Sequence, residues 1–266
     1  MLCRTFSVCE KVKVSVMTFK LLEVDLVNDF DQVIECQWAS YEKPYQPFFR
    51  LFCPLLGDGP SAREESLRES TARQLVWHDT DSTSYWAKVV NDDDTIVGAC
   101  LWKICPTNPF EDYNAHEDAD WHPEGERREY VSRCLEQFDL PRSKMGARPQ
   151  VYLNILYTHP DYRRQGVADL ILNWGKKKAD EMGVEMWIDA TELGVPVYKK
   201  HGFTVVNVNR LQPAKAEPGE EWREIERELQ PMTFWQMWRP AGGDYVEGKS
   251  VKPWETDAWQ SDSTEE

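Results

Sequence analysis

The sequence predicts a single α/β domain of the α+β kind, a β-sheet flanked by helices, and three stretches predict it. Residues 151–203 read as strand, glycine-containing turn, helix, strand and helix. Residues 84–90 and 95–104 are two β-prone runs joined by Asn91-Asp92-Asp93-Asp94, an acidic turn-forming linker that signals a hairpin. Residues 232–238 (MTFWQMW) alternate like a last strand. A chain of 266 residues, 41% apolar and with 12 Trp, is long enough to bury a sizeable core.

The remaining elements follow in order. Residues 19–25 (FKLLEVD) form a short strand, and Phe30, Val33, Ile34, Gln37 and Trp38 then fall near helical spacing. Asn28 or Asp29 is placed to cap that helix, and Pro44 and Pro47 break it. The turn Gly57-Asp58-Gly59-Pro60-Ser61 opens a second helix over 62–77. These aromatic-rich helices pack over core or over a substrate pocket. Residues 107–148 read as an acidic insertion in a loop with a short helix over 127–138. Between Asn108 and Glu126 it holds seven acids and no Lys or Arg. His116 and His122 match no metal-ligand spacing, so no metal site is expected. The acids form a solvated loop or attract a cationic acceptor. Residues 204–211 form a strand, 213–231 a charged stretch, and 241–266 a mobile acidic tail.

Charge and cysteine content exclude several functions. The net charge of −15 argues against a nucleic-acid binder or a protein drawn to anionic membranes. Residues 151–203 carry seven Lys/Arg and seven Asp/Glu, a neutral island consistent with an anionic ligand there. The seven Cys (3, 9, 36, 53, 100, 105 and 134) are odd in number and form no C-x-x-C pair. Cys100 and Cys105 read as small hydrophobes. With no secretory signal, membrane-length apolar stretch or N-glycosylation sequon, the expected setting is reducing and cytoplasmic. Residues 1–17 read as a loose N-terminal extension; Arg4, Lys11 and Lys13 against Glu10 faintly resemble an organelle-targeting peptide.

The chemistry is expected at Arg163-Arg164-Gln165-Gly166-Val167-Ala168. Residues 151–157 are a buried strand apart from Asn154, and Pro160 stops it. The helix opened at Gly166 carries an apolar stripe of Val167, Leu170, Ile171, Trp174 and Met182, with Gly183 as its terminator. Gly166 and Ala168 let a ligand approach the backbone, and the first-turn N–H groups suit a phosphate or pyrophosphate. Arg163 and Arg164 add positive charge. The turn is neither a Walker A loop nor a Rossmann fingerprint. Alone, R-x-x-G-x-A also fits a glycine that merely opens a helix.

Strand, R-x-x-G-x-A turn, amphipathic helix, strand and then Tyr198, three residues short of Gly202-Phe203, together resemble the Gcn5-related N-acetyltransferase (GNAT) family. The resemblance covers 152–203 well and 19–211 loosely. It implies a mixed, mostly antiparallel sheet splayed between its central strands at the cofactor site, within an acetyltransferase domain spanning 18–240. It implies acetyl-CoA as co-substrate, with Arg163, Arg164, Gln165, Gly166, Val167 and Ala168 around the pyrophosphate. Leu156, Tyr157 and Thr158 would offer backbone groups to the pantetheine and thioester. Tyr198 would protonate the departing thiolate, a role a phenol can fill.

Two departures stand out. Where many relatives carry Asn and Ala, seven and four residues before this Tyr, the chain has Thr191 and Gly194. Thr191 remains a candidate pantetheine contact. No carboxylate lies within 151–160 to act as general base; Asp189 and Glu192 are the nearest in sequence, and a water relay or an already neutral acceptor are alternatives. The expected activity is acetyl transfer to an amine by direct attack, with a small-molecule amine favoured as partner over nucleic acid. Acetylation of a protein N-terminus or lysine, and a CoA-binding module without turnover, are the alternative readings.

Overall fold

A computed structural model describes residues 17–114, 116 and 118–255. Seven strands, β1 (Lys20–Glu23), β2 (Ser84–Val90), β3 (Ile96–Cys105), β4 (Gln150–Thr158), β5 (Glu185–Ala190), β6 (Thr204–Leu211) and β7 (Met232–Arg239), form one open sheet. Its order is β1-β2-β3-β4-β5-β7-β6. Among the described strands only β4 and β5 pair in parallel. Their crossover carries a helix, as a parallel pair requires. The mixed, mostly antiparallel sheet is the one expected.

Among the described residues seven α-helices cover the sheet: α1 (Phe30–Glu42), α2 (Phe49–Phe52), α3 (Ala62–Asp79), α4 (Glu126–Met145), α5 (Val167–Met182), α6 (Val195–Lys200) and α7 (Glu220–Leu229). On one face, Val167, Ile171, Leu172 and Ala179 of α5 pack on Trp102, Leu153 and Ile188. On the other, Val33, Ile34 and Trp38 of α1 cover Trp86, Ala99 and Leu101. Beside them α4 and α7 cover Leu211, Met232 and Phe234 of β6 and β7. The layer over the second face is therefore built in two blocks, and a cleft runs between them.

Several expectations change. The helix expected over 127–138 extends from Glu126 to Met145, through Pro141, and buries Tyr130, Val131, Cys134 and Leu135. The charged stretch 213–231 contains α7, whose Trp222, Ile225 and Leu229 recur at helical spacing and are buried. Asp29 precedes α1, but its carboxylate receives the Asp25 N–H at 2.8 Å rather than capping the helix. His116 and His122 are separated in role: His116 pairs with Glu136 at 2.8 Å, while buried His122 meets the Leu51 carbonyl at 3.0 Å. Residues 241–255, expected within a mobile tail, instead fold back. Trp254 packs its ring 5.2 Å from Trp187 and 5.1 Å from Trp238, and Asp244 pairs with Arg239 at 2.9 Å. Residues 1–16 and 256–266 of the two expected terminal extensions lie outside the described residues.

The five cysteines of the described residues are buried as free thiols, Cys100 and Cys105 among them. Among those residues no helix is long and apolar enough to cross a membrane. None of them form a group of three or more His, Cys, Asp or Glu able to hold a metal ion.

Candidate active site

The site begins where two strands part. β4 and β5 pair from Gln150/Glu185 to Leu153/Ile188 and no further, although both strands continue. The next residue of β4, Asn154, is bulged: Leu153 faces Trp102 while Ile155 faces Leu101, so Asn154 has no partner on β3. A bulge bends its strand and sharpens the local twist. Here it turns β4 away from β5 and opens a cleft of about 1020 Å³.

On the open edge of β4, the carbonyl of Leu156 receives the Tyr41 hydroxyl at 3.1 Å and that of Thr158 receives Arg163 Nε at 3.2 Å. In a strand the N–H and C=O of one residue point the same way. The Leu156 and Thr158 N–H groups therefore also face the cleft. Tyr157, paired with Ala99, turns its backbone towards β3; it still lines the cleft, with its ring buried and its hydroxyl donating to the Val33 carbonyl at 2.6 Å.

At the end of that edge lies the Gly166 turn. Gly166 has φ +93°, and a Cβ there would meet no atom within 4 Å, so the space before the helix is open. α5 then begins with unpaired backbone N–H groups at its positive end. Arg164 (φ +59°) lines the cleft and makes no hydrogen bond or ion pair among the described residues. Arg163 is committed to the fold: besides Thr158, its guanidinium donates to the Ser40 carbonyl at 2.7 Å, tying the turn to α1. Gln165 donates to the Asp161 carbonyl at 3.1 Å and lies outside the cleft lining. Val167 is buried in the core and, like Ala168, also borders the cleft. The residues present thus fit a pyrophosphate through backbone and Arg164 alone.

Tyr198 of α6 faces the cleft opposite β4, with Thr191 beside it. Burial pushes its phenol well above the usual value of 10, and the nearby Cys100 adds to the shift. Gly194 makes room for this ring. A Cβ at Gly194 would lie 2.6 Å from Tyr198 Cε2 and 3.4 Å from its hydroxyl oxygen. α6 is anchored to α5 by Asp169, which accepts from Lys200 at 2.9 Å and contacts His201 Nε2 at 2.7 Å.

Asp189, expected as a base, is enclosed. Its side chain is 2% exposed, and Oδ2 accepts from Arg142 Nε at 3.0 Å and from the Tyr152 hydroxyl at 2.9 Å. Oδ1 is shut off from water and faced by Gln236, its register partner on β7. Burial raises its pKa, opposed chiefly by Arg142. This carboxylate borders the cleft and ties α4 to β4 and β5. Glu192 lies outside the main cleft, against a smaller hollow of about 260 Å³ beside Trp235.

The far half of the cleft is aromatic. Tyr41, Phe48, Phe52, Phe138 and Phe234 line it, with Trp77 and Trp121 at 5.1 Å from each other. Of the β7 residues, Phe234 faces this cleft; Trp238 is buried against Trp187, and Trp235 borders the smaller hollow.

A family model described as Acetyltransferase (GNAT) family matches residues 45–203. The chain belongs to this family. No curated protein matches it in a direct sequence comparison. Among solved structures, a Drosophila melanogaster polyamine N-acetyltransferase is 13% identical over 84% of this chain and 100% of its own, with a TM-score of 0.55. An agmatine N-acetyltransferase is 13% identical over 84% and 99%, at 0.53. A histone acetyltransferase-related protein of Corynebacterium glutamicum is 16% identical over 86% and 99%, at 0.51. These likenesses show the GNAT fold.

Sequence reasoning named the GNAT turn and Tyr198, which line one cleft, and left the aromatic-rich helices open between core and substrate pocket; the aromatics they contribute line the opposite wall. Tyr41 and Phe48, Phe138, and Phe234 come from three separate stretches of the chain. The one local signal was the aromatic density of residues 41–52 (YEKPYQPFFRLF).

Proposed function

We propose that this GNAT protein transfers an acetyl group from acetyl-CoA to a small-molecule amine by direct attack. The observation that carries this reading is the parting of β4 and β5 after Leu153/Ile188, with the Gly166 turn and Tyr198 facing the gap it opens. The first-turn N–H groups of α5 and Arg164 hold the pyrophosphate. The N–H groups of Leu156 and Thr158 hold the pantetheine arm and its thioester in the splay, with Thr191 opposite. The nitrogen–carbon bond forms as the carbon–sulfur bond breaks, and the proton lost by nitrogen balances the one gained by sulfur. Tyr198 donates to the sulfur as charge develops there; burial keeps the phenol protonated across the working pH range. The carboxylates lining the cleft, Asp81, Asp169 and Asp189, are all ion-paired, so the amine attacks in its neutral form and its proton leaves through water.

The test is release of free CoA thiol from acetyl-CoA over a panel of amines. Amine-dependent release is expected, and Tyr198→Phe should lower kcat about 100-fold while leaving the Kd for acetyl-CoA unchanged. Equal turnover in that variant removes Tyr198 from the mechanism. Binding of acetyl-CoA without release on any amine refutes the transferase reading.

A further inference from the structure

The aromatic half of the cleft narrows the class of acceptor. Its rings are not scattered but linked edge to face: Tyr41 to Phe48 at 5.3 Å, Phe48 to Phe234 at 5.6 Å, Phe234 to Phe138 at 4.8 Å, and Phe138 to Phe52 at 6.3 Å. The chain of rings crosses between blocks, from α1 through the start of α2 to β7 and α4. Rings locked in this way form a preformed, stiff wall, the usual lining for an apolar ligand.

The charges of the cleft point in the same direction. Asp81 is paired with Lys103, Asp189 with Arg142, and Asp169 with Lys200 and His201. Lys103 lines the cleft and is occupied by Asp81; His78 also lines it, with its Nδ1 2.8 Å from the Ser84 hydroxyl. Arg164, without a partner among the described residues, stands at the phosphate end. An acceptor with a second ammonium would bury that charge against rings without a free carboxylate, and one with a carboxylate would find no free cation there. Both losses are large compared with what a ring face returns to a cation.

We propose that the acceptor is a primary monoamine carried on an apolar, ring-sized body, seated against Phe48, Phe138 and Phe234. The inference rests on the transferase reading above and goes beyond it in naming the acceptor's chemistry. The products are the N-acetyl amide of that amine and CoA thiol.

The experiment compares kcat/KM for thiol release with 2-phenylethylamine, spermidine, glycine and a lysine-containing peptide, all with saturating acetyl-CoA. The value for 2-phenylethylamine should exceed each of the others by about 100-fold, the scale on which apolar pockets discriminate. Phe138→Leu and Phe234→Leu, which keep an apolar side chain in the core, should each raise KM for 2-phenylethylamine roughly tenfold without changing KM for acetyl-CoA. A preference for spermidine, glycine or the peptide overturns the proposal and leaves the transferase reading standing. An unchanged KM for 2-phenylethylamine in both variants also overturns it. If acetyl-CoA raises Tm but no amine releases thiol, both readings fall.

Discussion

The two halves of the cleft are built by different means. The proposed cofactor half is made of backbone: the open edge of β4, a glycine with positive φ and the first turn of α5. The proposed acceptor half is made of side chains projected from α1, α2, α3, α4 and β7. Backbone groups take their positions from a contiguous run of sequence, so such a site leaves a motif. A wall of side chains needs only bulk and apolarity from each contributor, so it leaves none. Substitutions in the first half should therefore act steeply and at single positions, and those in the second should act gradually.

The sharpest break is expected at Gly166. Gly166→Glu places a side chain with φ +93° in the open space before α5 and puts a carboxylate where the phosphate charge is expected. The Kd for acetyl-CoA, measured by calorimetry, should rise by about 100-fold or more; near-native binding would mean that the turn does not carry the cofactor. A smaller loss is expected at Gly194. Gly194→Ala forces the Tyr198 ring off its position, so kcat should fall about tenfold with the Kd for acetyl-CoA unchanged. An unaltered kcat would show that ring position is not limiting. The smallest effects separate the two adjacent arginines. Arg164→Ala should weaken acetyl-CoA binding about two- to fivefold and leave Tm alone, as for an exposed charge. Arg163→Ala should lower Tm instead, through loss of its bonds to Thr158 and Ser40, roughly 2 kcal/mol. The reverse pattern, read by calorimetry and thermal melting, would exchange their roles.

The same contrast explains what was legible in the sequence. Strands β2 to β4 announce themselves through apolar, β-prone runs, and α5 through a stripe bounded by Gly166 and Gly183. α7 was hidden because three of its ten residues carry the buried stripe amid charged neighbours. α4 was read short because Pro141 marked an end that the tertiary packing overrides; Arg142, just beyond it, is buried and bound to Asp139 and Asp189. That ion pair also explains Asp189. A lone carboxylate at a strand end looks available until a cation from a distant helix is brought to it, and nothing near residue 189 in the sequence announces Arg142. Residues 241–255 were read as tail by composition, yet Tyr245 and Trp254 suffice to dock them on Trp187 and Trp238.

The bulge at Asn154 has a consequence for chain length. Before it, Leu153 belongs to the α5 side of the sheet; after it, Ile155 packs on the α1 side although it lies two residues away. Alternation therefore changes phase at one position. Adding or removing a single residue between Leu153 and Thr158 would turn over everything that follows in the strand. Tyr157 would leave the Val33 carbonyl and the two cleft-facing amides would swing towards β3. The stretch is thus a length-locked segment, able to change its letters far more readily than their number.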